Sequence, residues 1–450
     1  MNNINIKVIH GVLFLVVFLL SSCGDSSSNL TAGKAWGTAA LIETGNTGDT
    51  FYPQIVSDTS GNALAIWQQS DGTRIHIWAN RFTAGSGVWG TATQLEFNTV
   101  GDATDPHIAI DASGNAMAVW SQSDGIRYNI WADLYTIGLG WGVAGLIEGD
   151  NTGDAVSPKI AFDTSGHAIA VWQQFDGTRY NITANRYSAG TWGAAVTISN
   201  MSNPSDSAIN PHVALDTGGN ALAVWQQWDS TLPGRNNIMA NRYDAVTGWG
   251  TAGLIEADAG NAYDADIAID KYGNALAVWY QFDGTRNNIM ANRYTSGSGW
   301  GLAAVPIETG AFDASSPKIA IDANGNALTV WSQSDGTRTN ILANRYTFGS
   351  GWGIDTLIET DNAGGARYPQ VAFDASGNAV AVWQQFDGAR DNIWSNRYTA
   401  GTGWGAAALI ETGAGDAGSP QIAVDSNGNA LSVWQQADST YYSIWSNRYH

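Results

Sequence analysis

The feature that most constrains this chain is a phrase written eight times. Gly-Asn-Ala-Leu-Ala-Val-Trp and its variants end at Trp67, Trp120, Trp172, Trp225, Trp279, Trp331, Trp383 and Trp434, in steps of 53, 52, 53, 54, 52, 52 and 51 residues. A unit of this length cannot cover its own apolar faces and must stack on copies of itself. Each unit divides into four strand-forming runs, which in the first unit cover 53–57, 62–69, 75–82 and 89–96. Leu64, Ile66 and Gln68 alternate with Ala63, Ala65 and Trp67, the period of a strand, and both faces are rather apolar. Asp58 and Gly61 close the first hairpin, Asp71-Gly72 the second and Gly85-Ser86-Gly87 the third.

The two ends of the chain turn the array into a ring. Residues 36–43, opening at Trp36, read as a fourth strand without the first three, and the chain stops at Tyr449-His450 after a third strand without a fourth. The sequence therefore predicts an all-β, eight-bladed β-propeller with four antiparallel strands per blade. Its last blade is closed by 36–43 pairing with 442–449. An open solenoid would need polar caps, and none appears.

Several residue types are written in columns. Sixteen of the 21 tryptophans recur in every blade, eight on second strands and eight opening fourth strands, which is what packing requires. A third-strand column reads Trp78, Trp131, Thr183, Met239, Met290, Leu342, Trp394 and Trp445. Its four tryptophans lie in consecutive blades around the ring, either as size compensation in the core or as surfaces for sugars. One arginine column follows the Asp-Gly turns and another ends the third strands; all seven glutamates end fourth strands. Antiparallel pairing predicts Arg74 near Glu96, Arg127 near Glu148, Arg338 near Glu359 and Arg390 near Glu411. Asp322-Ala-Asn324-Gly325 lacks the alternating ligands of a calcium loop and reads as a turn, so no metal is expected.

The N-terminus predicts export. A weakly basic start, an apolar run over 8–20 and small residues form a signal peptide at 1–22, a flexible tether occupies 23–35, and the propeller fills 36–450. Leu20-Ser21-Ser22-Cys23 resembles the lipobox of bacterial lipoproteins. The resemblance implies that Cys23 is acylated, as with palmitate, and becomes the mature N-terminus. With Gly24 next, it implies attachment to the outer membrane, on either the periplasmic or the cell-surface face. Cys23 is the only cysteine, so no intrachain disulfide can form. A net charge of −20 argues against nucleic acid as a partner.

Chemistry is harder to find. The six histidines show no metal-ligand spacing, and His107 and His212 share a repeat column with Gln54, Lys159 and Lys318, which reads as surface variation. Ala109-Ile110-Asp111 with Trp120 faintly resembles the tryptophan-docking motif of quinoprotein dehydrogenases, but the spacing differs; no cofactor is expected. Without an asymmetric set of acid and base residues, the chain is expected not to be an enzyme. The order from Val382-Trp383 through Asp387-Gly388 to Trp404 resembles bacterial β-propeller lectins. The plan is also similar to the propeller lipoprotein of the outer-membrane β-barrel assembly machinery. The expected role is a non-enzymatic, lipid-anchored propeller that binds or scaffolds a protein partner. The alternatives are a lectin-like propeller that binds glycan, and a glycoside-active enzyme. The expected partner site is on blade four, where the turn carrying Trp228 and Leu232 is three residues longer than its counterparts, flanked by Phe175 and Phe282. The tryptophan arc of Trp78, Trp131, Trp394 and Trp445 is the alternative sugar surface.

Overall fold

A computed structural model describes residues 34–45, 48–96, 100–149, 152–201, 203–231, 234–256, 259–360 and 363–450. The expected signal peptide, Cys23, nearly all of the tether and Leu232 lie outside these residues. Every described element is a strand, and eight antiparallel sheets follow one another around a ring spanning Ala35–His450. The closure is the expected one. Ala40–Leu41 pairs with Tyr442–Tyr449, with Ala40 opposite Ser446 and Leu41 opposite Trp445, and Trp36 bridges to Tyr449.

Fourth strands depart from the expected continuous run. Each is broken into two short pieces that pair with the same third strand, as Val88–Trp89 and Thr93–Gln94 do with Ile75–Thr83. In seven blades an asparagine holds the bend. Asn80 Nδ2 donates to Gly90 O, in the gap, at 3.0 Å and to Ile42 O, in the preceding fourth strand, at 2.7 Å. Asn185, Asn241, Asn292, Asn344, Asn396 and Asn447 repeat both bonds, so the side chain holds the bend and staples adjacent blades. Blade two has Asp133 at this position.

The core lies between blades. Trp120 of blade two packs with Leu64, Ile66 and Ile77 of blade one, and all eight second-strand tryptophans are 0% exposed. Fully burying aliphatic side chains of this size contributes roughly 1.5–3 kcal/mol each. The indole of Trp67 donates to Gln69 Oε1 at 3.0 Å, a bond repeated in each blade, and the Gln281, Gln385 and Gln436 amides donate on to the buried Glu256, Glu359 and Glu411. The ion-pair belt stands in part as predicted. Arg286–Glu308 and Arg390–Glu411 close to 2.9 Å, Arg235–Glu256 to 3.7 Å and Arg338–Glu359 to 3.9 Å. In blade one a histidine also reaches the carboxylate: His76 Nδ1 meets Glu96 Oε1 at 2.5 Å. The Asp322 turn is held by its own backbone, since Oδ1 accepts from the N–H groups of Asn324 and Asn326.

Candidate active site at the channel mouth

Innermost in every blade is the first strand, and each one is broken at the same place. Its register slips between Phe51 and Gln54 in blade one, and at the equivalent position in the other seven. The residue in the bulge takes a positive φ near +53°: Tyr52, Asp105, Ser157, Asn210, Asp264, Ser316, Tyr368 and Ser419. All but Asp264 are followed by proline, which uses seven of the chain's ten prolines. Proline lacks the N–H a ladder needs and belongs on an edge strand or in a bulge; here it has both. Some of the freed amides are caught by the neighbouring blade. Gln68 Oε1 accepts from Asp105 N at 3.3 Å, Gln173 from Asn210 N at 2.7 Å, and Gln435 from Tyr52 N at 3.3 Å.

Two residues after each bulge residue comes the column that faces the channel. It reads Gln54, His107, Lys159, His212, Asp266, Lys318, Gln370 and Gln421 from blade one to blade eight. Five consecutive blades carry titratable side chains; the other three carry glutamine. Lys159, His212, Lys318, Gln54 and Gln370 line a cavity of about 450 Å³ at the mouth, rimmed by Asp105, Asp264, Tyr52 and Tyr368. His212 is therefore not surface variation, and the sequence reading that set it aside is corrected here; His107 stands in the same column but outside the lining of this cavity.

Within this arc the side chains lean from one blade to the next. His212 Nδ1 lies 3.0 Å from Asp266 Oδ1, while Asp266 Oδ2 accepts from Ile319 N at 3.0 Å. Burial alone would raise the Asp266 carboxyl, but the Lys318 charge and the bond from His212 hold it well below the usual carboxylate range. An ionised acceptor fixes the hydrogen of His212 on Nδ1 and leaves Nε2 as a lone-pair base. Burial lowers the His212 pKa despite Asp266, so the ring is neutral near pH 7. His107 is also held well below its ordinary value, by burial first and by Lys159 second. Its Nδ1 accepts from Ile160 N at 3.3 Å, which puts its proton on Nε2. Lys159 is drawn down to about 8 by burial and by the charge of Lys318. A base held by a carboxylate, an ammonium able to lose its proton near neutrality, and a second cation thus share one mouth.

The residues singled out from the sequence lie elsewhere. Trp78, Trp131, Trp394 and Trp445 are half-buried on third strands, each packed against an inter-blade core, as size compensation requires. Trp228 is 37% exposed, with its ring over Gly234, whose added Cβ would meet it at 2.7 Å. Phe282 lines a cleft of about 540 Å³ between blades four and five with Gly234 and Arg235, while Phe175 packs on Tyr180 at 5.3 Å. None of these residues reaches the channel cavity.

No protein-family model and no curated protein matches the chain. Solved structures do. A polysaccharide lyase described as an ulvan lyase, bound to a saccharide of glucuronic acid and sulfated rhamnose, aligns with a TM-score of 0.56 at 9% identity, covering 82% of this chain and 96% of its own. A protein of unknown function from Dyadobacter fermentans aligns at 0.47 with 10% identity, over 93% and 99%. The NanB sialidase of Streptococcus pneumoniae aligns at 0.41 with 10% identity, over 92% and 98%. At these identities the likeness establishes the propeller fold alone. This chain is an eight-bladed β-propeller. Two expectations from the sequence are corrected with it, the non-enzymatic scaffold for a protein partner and the absence of an enzyme. The solved propellers it resembles include a polysaccharide lyase, and the asymmetric acid–base set whose absence supported both expectations is present at the mouth.

Proposed function

We propose that this propeller binds acidic carbohydrate at the channel mouth and cleaves it by β-elimination. The observation that carries the reading is the His212–Asp266 pair, 3.0 Å apart, in the same arc as Lys159 and Lys318. The chain has only five lysines against a net charge of −20, and two of them face this one opening. Such placement focuses positive potential where the rest of the surface repels anions. Binding a sugar carboxylate against Lys318 acidifies the adjacent C–H. His212 Nε2 takes that proton, the bond from the β carbon to the glycosidic oxygen breaks with its electron pair on oxygen, and a carbon–carbon double bond forms. The Lys159 ammonium supplies the proton to the leaving oxygen. The ulvan lyase neighbour, which carries a glucuronate-containing saccharide, is consistent with this substrate class.

The test uses the full chain with Cys23→Ser, incubated with ulvan and with polygalacturonate. Elimination shows as growing ultraviolet absorbance of the unsaturated uronate, and binding as retention on the immobilised polysaccharide. Neither binding nor absorbance change with either polymer overturns the reading; binding without cleavage replaces it with a lectin. We also propose, from residues 1–23, that the protein is exported and held at the outer membrane by acyl chains on Cys23. Labelled palmitate incorporated by the natural chain and lost in Cys23→Ser tests that proposal.

A further inference from the structure

The glutamine arc carries a cavity of its own. Across blades seven, eight and one, a cleft of about 580 Å³ adjoins the channel mouth and shares Tyr52, Gln54, Tyr368 and Gln370 with it. Its two ends are marked by the residues least suited to their backbone. Of the eight bulge residues with positive φ, six are small and polar: Asp105, Ser157, Asn210, Asp264, Ser316 and Ser419. The remaining two are Tyr52 and Tyr368, at φ 53° and 55°. A bulky side chain in that conformation is an outlier held against its preference.

Both rings stand largely open to solvent, with Phe51 beside Tyr52 at 6.3 Å and the Arg367 guanidinium over Tyr368 at 5.9 Å. Tyr52 is 56% and Tyr368 54% exposed. They stand on the blades either side of blade eight, where the chain falls away to Gly418-Ser419. The residue before the bulge is glycine in blade eight alone. A Cβ at Gly418 would meet Gln384 Oε1 at 2.8 Å, so the glycine keeps the cleft floor open. Phe51 and Tyr442 form an adjoining aromatic wall, their ring centroids 5.5 Å apart.

We propose that this cleft is a second saccharide subsite, in which Tyr52 and Tyr368 stack on a pyranose ring next to the one held in the channel mouth. Exposed aromatic faces offer a flat apolar surface with a polar edge, which suits the C–H face of a sugar. Glutamines around the floor, with the Asp391 and Asp416 carboxylates beside them, match the hydroxyls of a neutral sugar, whereas the channel side presents lysines for a carboxylate. The two cavities join through shared residues, so the ligand is a chain crossing the mouth, with its acidic unit over blades three to six. This rests on the carbohydrate reading above and deepens it.

The test compares three probes by calorimetry on the full chain with Cys23→Ser: glucuronic acid, oligosaccharides of increasing length in which glucuronate alternates with a neutral sugar, and neutral cello-oligosaccharides. Natural residues at the cleft should give affinity that rises about tenfold from monomer to longer acidic oligomers. Tyr52→Ala with Tyr368→Ala should remove that gain; both rings also rim the channel mouth, so the unchanged glucuronic acid affinity is expected of Gly418→Val, which lies outside that cavity. Gly418→Val should likewise remove the gain by filling the floor, and the melting temperature of each variant separates loss of the subsite from loss of fold. A gain with length that survives both sets of substitutions overturns the subsite, as does a glucuronic acid affinity that length does not improve. Binding of cello-oligosaccharides that the tyrosine variant loses, with no binding of glucuronic acid, keeps the subsite and sinks the acidic-sugar reading. Binding of no probe overturns both.

Discussion

Blades three to six and blades seven, eight and one share the same first strand, bulge and half-exposed channel position, yet they fill it differently. One arc holds Lys159, His212, Asp266 and Lys318; the other holds Gln370, Gln421 and Gln54. The fold tolerates both, because this position faces the opening and is not enclosed between blades. By contrast, the second-strand tryptophans one layer outward vary nowhere and are 0% exposed. In a ring built from one repeated unit, stability demands sameness in the packed columns. Function can break the symmetry only where the repeat meets solvent.

The sharpest way to break the comparison is to disarm one arc and then the other. His212→Ala removes the base, and kcat on polygalacturonate should fall at least about hundredfold. Asp266→Asn should fall nearly as far, because an amide no longer holds the hydrogen on Nδ1. The same kind of truncation in the other arc, Gln421→Ala, should leave kcat within about twofold. Equal losses from both arcs would mean that the charged side chains support the channel wall and perform no chemistry.

Next in size is the loss of cations. Lys318→Gln should raise KM for polygalacturonate about tenfold and lower kcat as well, since the lysine both holds the carboxylate and acidifies the adjacent C–H. Placing a lysine in the glutamine arc, Gln421→Lys in the Lys318→Gln background, should not restore it. Acidity sharpens the same point. Lys159 sits at about 8, so it is cationic below that value and neutral above. Binding of the acidic polymer should weaken as pH rises through about 8, and this step should vanish in Lys159→Gln, measured by calorimetry in buffers of matched ionic strength.

The contrast between packed and open columns also explains what the sequence could and could not tell. The eight-fold phrase ending in tryptophan, and the lone fourth strand at 36–43, made the ring and its closure readable, because each repeated residue answers to packing. The channel site escaped for the opposite reason. His107, Lys159, His212 and Asp266 look like drift when each is compared only with its own column. A signal was available: seven prolines precede this column in register, and proline at a fixed point in a strand marks an edge. The first strand is the inner edge of each blade and faces the channel, where unlike residues from adjacent blades meet. In blade one the sequence reading also passed over His76, two residues beyond Arg74 along the chain, which reaches the Glu96 carboxylate.

The smallest effect expected sits in the packed layer and tests whether sameness there is as necessary as argued. In seven blades an asparagine amide donates to two carbonyl oxygens, one in its own fourth strand and one in the strand before. Asp133 of blade two, 3% exposed, can donate only while protonated. Burial raises its carboxyl to about 6, with backbone N–H groups of Leu134 and Gly142 pulling the other way. An unfolded chain ionises the same group near 3.8. Between these values the unfolded state releases its proton first, so stability is lost as pH rises from about 4 to about 6 and stays lower above. Discounted for residual solvent screening, the penalty near neutrality is about 1–2 kcal/mol. Asp133→Asn should therefore stabilise the ring by that amount at pH 7, by urea denaturation, and by almost nothing below pH 4. An asparagine that stabilises equally at both pH values would show that its gain comes from shape, with no share from the proton.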